Sequence, residues 1–268
     1  MMQLSPQRLL ADAAAAGVVL GIDTGGPIGS FGVVAHGRLA AAAIRSPLSH
    51  GFGLPAAVDE VLDAAGASFS DLSAIAVAIG PGSFTGLRVG LSYAKGIAAA
   101  GKIAIVGVSS LDTLALCAGS ELAEGATVYP IIDARKGEVY TGLYRFVTGA
   151  LQKTSGDMVV SLESLVAGLA GGEAVFVGYS VAEQACSLAQ ANGRRAKLIE
   201  NAGLNLRGSF VAAIGAARVA QNEIDVIAAL EPLYLRPPDS AASLSGSKPG
   251  EEIHGTPRGR THPATPRS

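Results

Sequence analysis

Residues 79–96, IGPGSFTGLRVGLSYAKG, combine the residue types that bind an anion at the start of a helix. The Gly-Pro-Gly run predicts a tight turn, and Gly82 would let a phosphate or another backbone segment approach closely. Ser83 or Thr85 can cap the following helix, whose free first-turn amides attract anions, and Arg88 adds positive charge one turn later. The stretch therefore predicts a phosphate loop, and a helix start that binds no ligand is the alternative.

The same stretch departs from two well-known nucleotide motifs. It lacks the Gly-Lys-Ser/Thr of a Walker A loop. Its glycines are spaced G-x-G-x-x-x-G, which is one residue longer than the dinucleotide fingerprint, and it does not follow the first strand of the chain. These departures argue against a dinucleotide-dependent oxidoreductase.

A second candidate for phosphate chemistry follows the apolar run VVLGID, where Asp23 and Thr24 begin a turn. They resemble the first phosphate loop of the actin, hexokinase and Hsp70 superfamily, in which an acid at a strand end meets magnesium through water. An aspartate that caps a turn is the alternative. Asp133 ends the equivalent run VYPIID, but the following ARKGE lacks a glycine-rich phosphate turn. We therefore predict a vestigial phosphate site made of Asp23, Thr24, Gly82, Ser83, Thr85 and Arg88.

The helix predicted after the glycine-rich turn carries small residues on one stripe, because Gly86, Gly90 and Ala94 recur every four residues. Glycine inside a helix costs about 0.5–1 kcal/mol relative to alanine, so the stripe predicts a compensating close approach by another element. Packing inside the domain and a subunit interface both fit this pattern.

Other catalytic constellations are not predicted. The histidines are scattered without the i, i+4 spacing of a metal pair, and they stand at His36, His50, His254 and His262. The sequence has no Gly-x-Ser-x-Gly elbow for a serine nucleophile. We therefore predict neither a catalytic residue nor a metal ligand.

Composition sets wider bounds. At 268 residues, with 49% hydrophobic residues and a net charge of -2, the chain suits a compact protein without a global basic field for nucleic acid. Cys117 and Cys186 lack the spacing of a zinc site or disulfide framework, which favours the cytoplasm.

The N-terminal stretch has no long apolar region, so a helical or frayed extension is expected rather than a signal peptide. We expect no membrane helix, and a disordered tail from 237, which is rich in Pro, Ser, Gly and charge.

Strand–turn–strand patterns ending on an acid begin both halves of the chain, and helices alternate with buried strands after each. This alternation predicts two similar α/β units with a cleft between them. The predicted domains are an extension at 1–16, a first lobe at 17–109, a second lobe at 110–236 and the tail at 237–268. A helix near 209–221 is included in the second lobe, and packing on the first lobe is the alternative.

Four stretches occur in the order and spacing of a known family, and they are GIDTGGPIGSFGVV, AIAVAIGPGSFTGLRVGLSYAKGIA, VYPIIDARKGEVYTGLY and EPLYLR. Together they resemble the TsaB family, once called YeaZ, over residues 17–236, and GPGSFTGLR with DARKGEVY is highly specific. The resemblance implies an α/β fold of two tandem ribonuclease-H-like lobes of the actin-like ATPase superfamily, with mixed sheets flanked by helices.

The resemblance also implies a non-catalytic subunit. TsaB-like proteins act with the paralogue TsaD and the ATPase TsaE, which together place threonylcarbamoyl on adenosine 37 of tRNAs that read codons beginning with A. TsaD holds a metal through an H-x-x-x-H pair, whereas this chain has Ser110 and Leu114 in the matching places, and neither replaces a histidine ligand. The chain itself is expected to require no cofactor, with ATP or ADP expected at the interface with TsaD.

In such proteins two helices of the first lobe pack on TsaD, or on a second copy as a homodimer when TsaD is absent. Here these helices are 51–66 and 84–100, and tRNA is expected to be met only through the complex. The resemblance thus predicts an interface at Leu54, Val58, Leu62, Gly86, Gly90, Ala94 and Ile97. One departure from the family is Gly25, Gly26 and Pro27, where relatives carry a Thr-Ala/Ser-Thr turn, and it predicts a reshaped hairpin.

The main alternative is an enzyme acting on its own, either an actin-like kinase or ATPase, or an M22-like peptidase. A kinase would need a phosphate loop in both lobes, and the second lobe offers only Asp133. A peptidase would need a metal constellation or a serine elbow, and the sequence predicts neither.

Overall fold

The computed structural model describes residues 3–45, 53–119, 122–199 and 206–235. The chain divides into two units, Met1–Leu235 and Arg236–Ser268, and the second unit lies outside the described residues. The predicted disordered tail at 237–268 therefore lies outside them as well.

Residues 18–109 form the first lobe, a five-stranded mixed sheet with two long helices. Its strands are β2 (Val18–Asp23), β3 (Gly29–Ala35), β4 (Arg38–Arg45), β5 (Leu72–Gly80) and β6 (Ala104–Ser109), in the order β4-β3-β2-β5-β6. β2 runs antiparallel to β3 and parallel to β5, so both the strand–turn–strand and the crossover predicted from the sequence are present. The helices are α2 (Leu54–Ala64) and α3 (Phe84–Gly101).

Residues 110–199 form the second lobe around a larger sheet. Its strands are β7 (Thr127–Arg135), β8 (Glu138–Thr141), β9 (Tyr144–Val147), β10 (Ala150–Lys153), β11 (Met158–Ser161), β12 (Ala174–Gly178) and β13 (Ala196–Ile199). Its helices are α4 (Ser110–Leu116), α5 (Leu162–Ala167) and α6 (Ser180–Ala191). β12 lies parallel to both β7 and β13.

The stretch VYTGLYRF, which follows the turn after β7, contributes to two strands rather than one. β8 pairs with the end of β7, whereas β9 pairs with its start and with β10. The strand is interrupted between them at Leu143. The Leu143 carbonyl accepts a hydrogen bond from Thr154 N at 2.7 Å, and its amide donates one to Ser155 Oγ at 2.9 Å. The long strand β7 therefore pairs with β9 near its start and with β8 near its end.

The N-terminal residues are an integral part of the fold rather than an extension. A short strand, β1 (Gln3–Leu4), pairs antiparallel with β10, and helix α1 (Pro6–Asp12) follows it. The side chains of Leu4, Leu9 and Ala13 are buried in a core that contains residues of both sheets. Burial of this apolar surface holds the segment in place.

The last helix, α7 (Arg207–Ala220), packs on the first sheet, although it follows the second lobe in sequence. Glycines make this contact close: a Cβ on Gly21 would overlap the α7 backbone at Gly208 and Ala212, and one on Gly215 would overlap Ala76. The helix expected near 209–221, for which the sequence left both lobes open, thus packs on the first sheet, because its small-residue face fits there.

Three apolar clusters fill the molecule. One lies between the first sheet and helices α2 and α3, one joins the opposite face of that sheet to α7, α4 and the second sheet, and one lies inside the second lobe. No helix among the described residues combines the length and the apolar character needed to cross a bilayer. The two-lobed α/β fold expected from the sequence is confirmed.

Candidate functional site

Asp23 ends β2, and its side chain is completely buried. Oδ1 accepts a hydrogen bond from Gly25 N at 2.9 Å, as expected for an aspartate that shapes a turn. Oδ2 faces Arg207 Nε at 3.5 Å, an ion-pair distance without hydrogen-bond geometry. The positively charged side chain of Arg207 therefore lies beside the carboxylate of the predicted phosphate site.

Arg207 begins α7 and is 4% exposed. One terminal nitrogen donates to the carbonyl of Ile28 at 2.9 Å, and the guanidinium lies 5.5 Å from the centre of the Tyr179 ring. Burial acts to lower the pKa of Arg207, but the negative charges of Asp23, Tyr179 and Cys117 together outweigh it and the pKa is raised. The side chain is therefore a permanent positive charge between the two lobes.

The glycine-rich turn lies directly against the turn that follows Asp23. Ser83 N donates to Gly25 O at 2.8 Å, and a Cβ on Gly82 would lie only 2.6 Å from that same oxygen. Thr24 Oγ1 donates to Gly86 O at 2.7 Å. The two loops that would cradle a phosphate are thus hydrogen-bonded to each other.

Arg88 does not reach these loops. Its Nε donates to the Tyr234 hydroxyl at 2.9 Å, and its guanidinium lies 3.8 Å from the centre of the Phe84 ring. Thr85 is exposed, and it is Ser83, through Oγ, that accepts the helix-capping bond from Gly86 N at 3.3 Å. The six predicted phosphate-site residues are therefore divided between a buried loop contact and the outer surface of α3.

The residues predicted to meet a partner chain lie mostly inside this chain. The buried ones are Leu54, Val58, Leu62, Gly90 and Ala94, whereas Gly86 and Ile97 are half-buried. A Cβ on Gly86 or Gly90 would overlap Thr24. The small-residue stripe is thus explained by packing within the domain, and its proposed role at an interface is corrected.

The outward surfaces of the same two helices form what we call the α2/α3 face. It exposes small residues and acids on α2 and small residues, an aromatic ring and a basic residue on α3, namely Ala56, Asp59, Glu60, Asp63, Phe84, Arg88, Ser92 and Gly96. A groove of about 310 Å³ runs along its edge, between α3 and residues 230–234. Half-buried Lys95 lines this groove with Arg88 and Tyr234.

Asp133 of the second lobe has a different environment from Asp23. It is exposed, and its Oδ1 accepts a hydrogen bond from Arg135 N at 2.7 Å in a turn whose residues 135–137 all have positive φ. Ser110 and Leu114, at the positions where the resemblance places metal ligands, are both buried. The described residues contain no group of three or more His, Cys, Asp or Glu side chains arranged to hold a metal ion.

Among the described residues, two ionic features were not predicted from the sequence. One is Arg207, whose pairing with Asp23 depends on where α7 packs. The other is a network around Lys153, whose Nζ lies 2.9 Å from Asp112 Oδ1 and 2.6 Å from Asp157 Oδ1. Tyr144 also donates to Asp112 at 2.5 Å. An arginine directly before an apolar, small-residue helix was a signal for the first, whereas no local pattern marks the second.

Comparison with known proteins gives a consistent result. A family model described as TsaD, tRNA N6-adenosine threonylcarbamoyltransferase, matches residues 48–191, which is more than half of the chain. The tRNA threonylcarbamoyladenosine biosynthesis protein TsaB of Bacillus subtilis is 45% identical over 106 residues, which are 40% of this chain and 45% of that protein. TsaB of Escherichia coli is 38% identical over 128 residues, 47% of this chain and 54% of that protein.

A solved structure of YeaZ from Pseudomonas aeruginosa aligns with a TM-score of 0.67 at 26% identity and covers 82% of this chain and 100% of its own. The chain belongs to the TsaB (YeaZ) branch of this family. It spans about half the length of the curated TsaB relatives it matches. The TsaB resemblance seen in the sequence is thereby confirmed.

Proposed function

We propose that the chain is a non-catalytic partner subunit in the biosynthesis of threonylcarbamoyladenosine on tRNA. It would be required, together with TsaD and TsaE, for transfer to adenosine 37 of tRNAs that read codons beginning with A. The names of its TsaB relatives supply the pathway. The observation that carries the non-catalytic role is the ion pair between Asp23 and Arg207, since it engages the acid that phosphoryl chemistry in this cleft would use.

The α2/α3 face is the surface proposed to meet TsaD, or a second copy when TsaD is absent. Exposed acids on α2, and exposed Arg88 with half-buried Lys95 on α3, give the face two complementary patches, which suit an antiparallel contact with a similar helix pair. Exposed Phe84 adds an apolar anchor at one end. ATP or ADP would bind at this interface, and tRNA would be met only through the cytoplasmic complex.

The test of this proposal is assembly followed by modification. Purified chain is mixed with TsaD from the same organism, and the mass of the complex is measured by light scattering with and without ATP. We expect a species heavier than either protein alone, and loss of threonylcarbamoyladenosine from tRNA when the chain is depleted from cells. A chain that never associates with TsaD, and whose depletion leaves tRNA fully modified, would contradict the proposal.

Two matched variants locate the surface. Ser92→Arg places a long charged side chain on the α2/α3 face, while Ser187→Arg places the same side chain on exposed α6 of the second lobe. We expect the first variant to weaken association with TsaD at least tenfold and the second to leave it unchanged. Equal effects of the two variants would remove the α2/α3 face as the partner surface.

A further inference from the structure

An actin-like fold implies that a magnesium nucleotide binds in the cleft between the lobes. The loops around Asp23 and Gly82 are the residues of this chain that would have to fit that ligand. A bound nucleotide requires a carboxylate free to face a hydrated metal and loop amides free to face phosphate oxygens. Both requirements can be tested on the loops around Asp23 and Gly82.

The carboxylate does not meet the first requirement. One oxygen of Asp23 accepts the Gly25 amide, and the other faces the Arg207 guanidinium at 3.5 Å. Since both side chains are at least nine-tenths buried, water screens their attraction only weakly. A divalent cation at this oxygen would have to displace, or lie against, a fixed positive charge.

The loops do not meet the second requirement. The Ser83 amide at the glycine-rich turn donates a hydrogen bond to Gly25 O, and Gly86 N donates one to Ser83 Oγ. The hypothetical Cβ positions on Gly82 and Gly86 fall against the backbone oxygens of Gly25 and Thr24, so not even a methyl group fits between the loops. A phosphate group, which is larger than a methyl, has no space there.

The unusual turn after Asp23 is explained by the same arginine. A Cβ on Gly26 would overlap both terminal nitrogens of Arg207, and Ile28 O accepts a hydrogen bond from this guanidinium. The turn therefore needs a glycine at 26 because the arginine lies across it. Arg207 also lies over the Tyr179 ring of the second lobe, so its charge holds together groups from both lobes.

We infer that Arg207 is a built-in counterion that takes the place of a metal in the cleft, so that this cleft binds neither magnesium nor a nucleotide. The cleft is a fixed joint between the lobes in this chain. Any nucleotide in the proposed complex would then bind through surfaces outside this cleft, and the inference holds whether or not the chain acts with TsaD.

The direct test measures binding by the intact chain. Isothermal titration with Mg²⁺ alone and with Mg²⁺ and ATP should give no binding heat. The melting temperature should also stay constant, whereas a ligand at a hundred times its Kd would raise it by about 5–11 °C. Binding by the wild type that is abolished in Asp23→Asn would overturn the inference, while binding that survives in Asp23→Asn lies outside the cleft and leaves it intact.

A second test uses the pairing itself. Arg207→Met leaves Asp23 buried without a counterion and should lower the melting temperature by about 6–20 °C. Arg218→Met is the matched control on the same helix. Arg218 is more exposed, pairs with Glu223 and Asp225 and donates to Gly107 O, so its loss leaves no fully buried carboxylate without a counterion and should lower the melting temperature less. The double variant Asp23→Asn/Arg207→Met should melt higher than Arg207→Met alone, because no buried charge remains.

If Arg207→Met does not fold, Arg207→Lys and Gly26→Ala give the same information. Lysine keeps the charge but not the planar contacts, and a Cβ at 26 pushes on the guanidinium, so both should melt at lower temperatures than Arg218→Met. Melting of these variants at the temperature of the Arg218→Met control would show that Arg207 does not hold the cleft, and the inference would fail.

Discussion

Thr24 lies directly over Gly90: its hydroxyl donates to Gly86 O at 2.7 Å and occupies the space that a Cβ on Gly90 would take. Because Thr24 is 2% exposed and follows the last residue of β2, this contact locks α3 onto the sheet that it crosses. The turn after Asp23, the glycine-rich turn and the helix after it therefore form one packed unit.

Replacement of Gly90 by alanine should destabilise the chain, because the new methyl overlaps the threonine hydroxyl. We expect a loss of about 1–3 kcal/mol in the free energy of unfolding, measured by urea denaturation. Gly96→Ala is the matched control, since a Cβ there meets nothing within 4 Å. In this exposed helical position alanine should stabilise the chain by about 0.5–1 kcal/mol.

The contact can be assigned to Thr24 with a double variant. Thr24→Ala removes the overlapping hydroxyl, so Thr24→Ala/Gly90→Ala should be more stable than the sum of the two single losses predicts. Strict additivity would show that Gly90 is constrained by something other than Thr24.

The glycine stripe also shows what the sequence could and could not predict. Four-residue spacing correctly predicted that another element approaches α3, but spacing carries no information about which element does so. The residue that approaches α3 is Thr24, which belongs to the same chain and lies far from Gly90 in sequence. The predicted interface therefore included residues that are buried in the chain's own core, such as Leu54 and Val58.

The strands were more predictable than the site. Runs such as VVLGID and VYPIID are short, apolar and followed by turn residues, so β2 and β7 lie where the sequence placed strands. The arginine at the start of the apolar helix α7 is visible in the sequence, but its pairing with Asp23 is not, because that pairing depends on α7 returning to the first sheet after the whole second lobe. Pairing between distant residues is a property of tertiary packing, which periodicity does not report.

Residues 225–233 cover the edge of the first sheet along β6. Asp225 N donates to Ile105 O at 2.9 Å, Leu233 N donates to Ile79 O at 2.7 Å, and Leu230 is 8% exposed. Leu230→Ala should cost about 2–4 kcal/mol because it opens a cavity beside Gly107. Val226→Ala, at a position that is 70% exposed, is the control and should change stability by less than about 0.5 kcal/mol.

Truncation tests the same segment as a whole. A chain that ends at Leu235 keeps these contacts, whereas one that ends at Asn222 exposes the edge of β6 and loses one wall of the groove beside α3. We expect the shorter chain to unfold at lower urea concentration and to aggregate, since an uncovered strand edge pairs with other chains. Equal stability of both chains would show that the segment contributes nothing to the fold.

Lys153 holds two carboxylates of the second lobe together. Its Nζ lies 2.9 Å from Asp112 and 2.6 Å from Asp157, and all three side chains are partly buried. Lys153→Met should lower the free energy of unfolding by about 1–3 kcal/mol, because the two carboxylates then face each other without a cation. Lys153→Met/Asp112→Asn should regain part of this loss, and a double variant no better than the single one would contradict the network.

Cys117 should make the fold sensitive to alkaline pH. Burial raises the pKa of its thiol from 9.0 to about 12, with Arg207 opposing and Asp23 adding to the shift. Because the unfolded thiol ionises first, the folded state retains more protons above pH 9, and stability falls as pH rises from there toward 12.

The expected slope for this one group is at most about 1.4 kcal/mol per pH unit. Urea unfolding at pH 8, 9 and 10 measures it, below the range in which unfolded tyrosines and lysines lose most of their protons. Cys117→Ala should flatten the fall in stability over this range, whereas Cys186→Ala should leave most of it, because the pKa of Cys186 is raised less. An equally steep fall in the Cys117→Ala variant would assign the alkaline sensitivity to other groups.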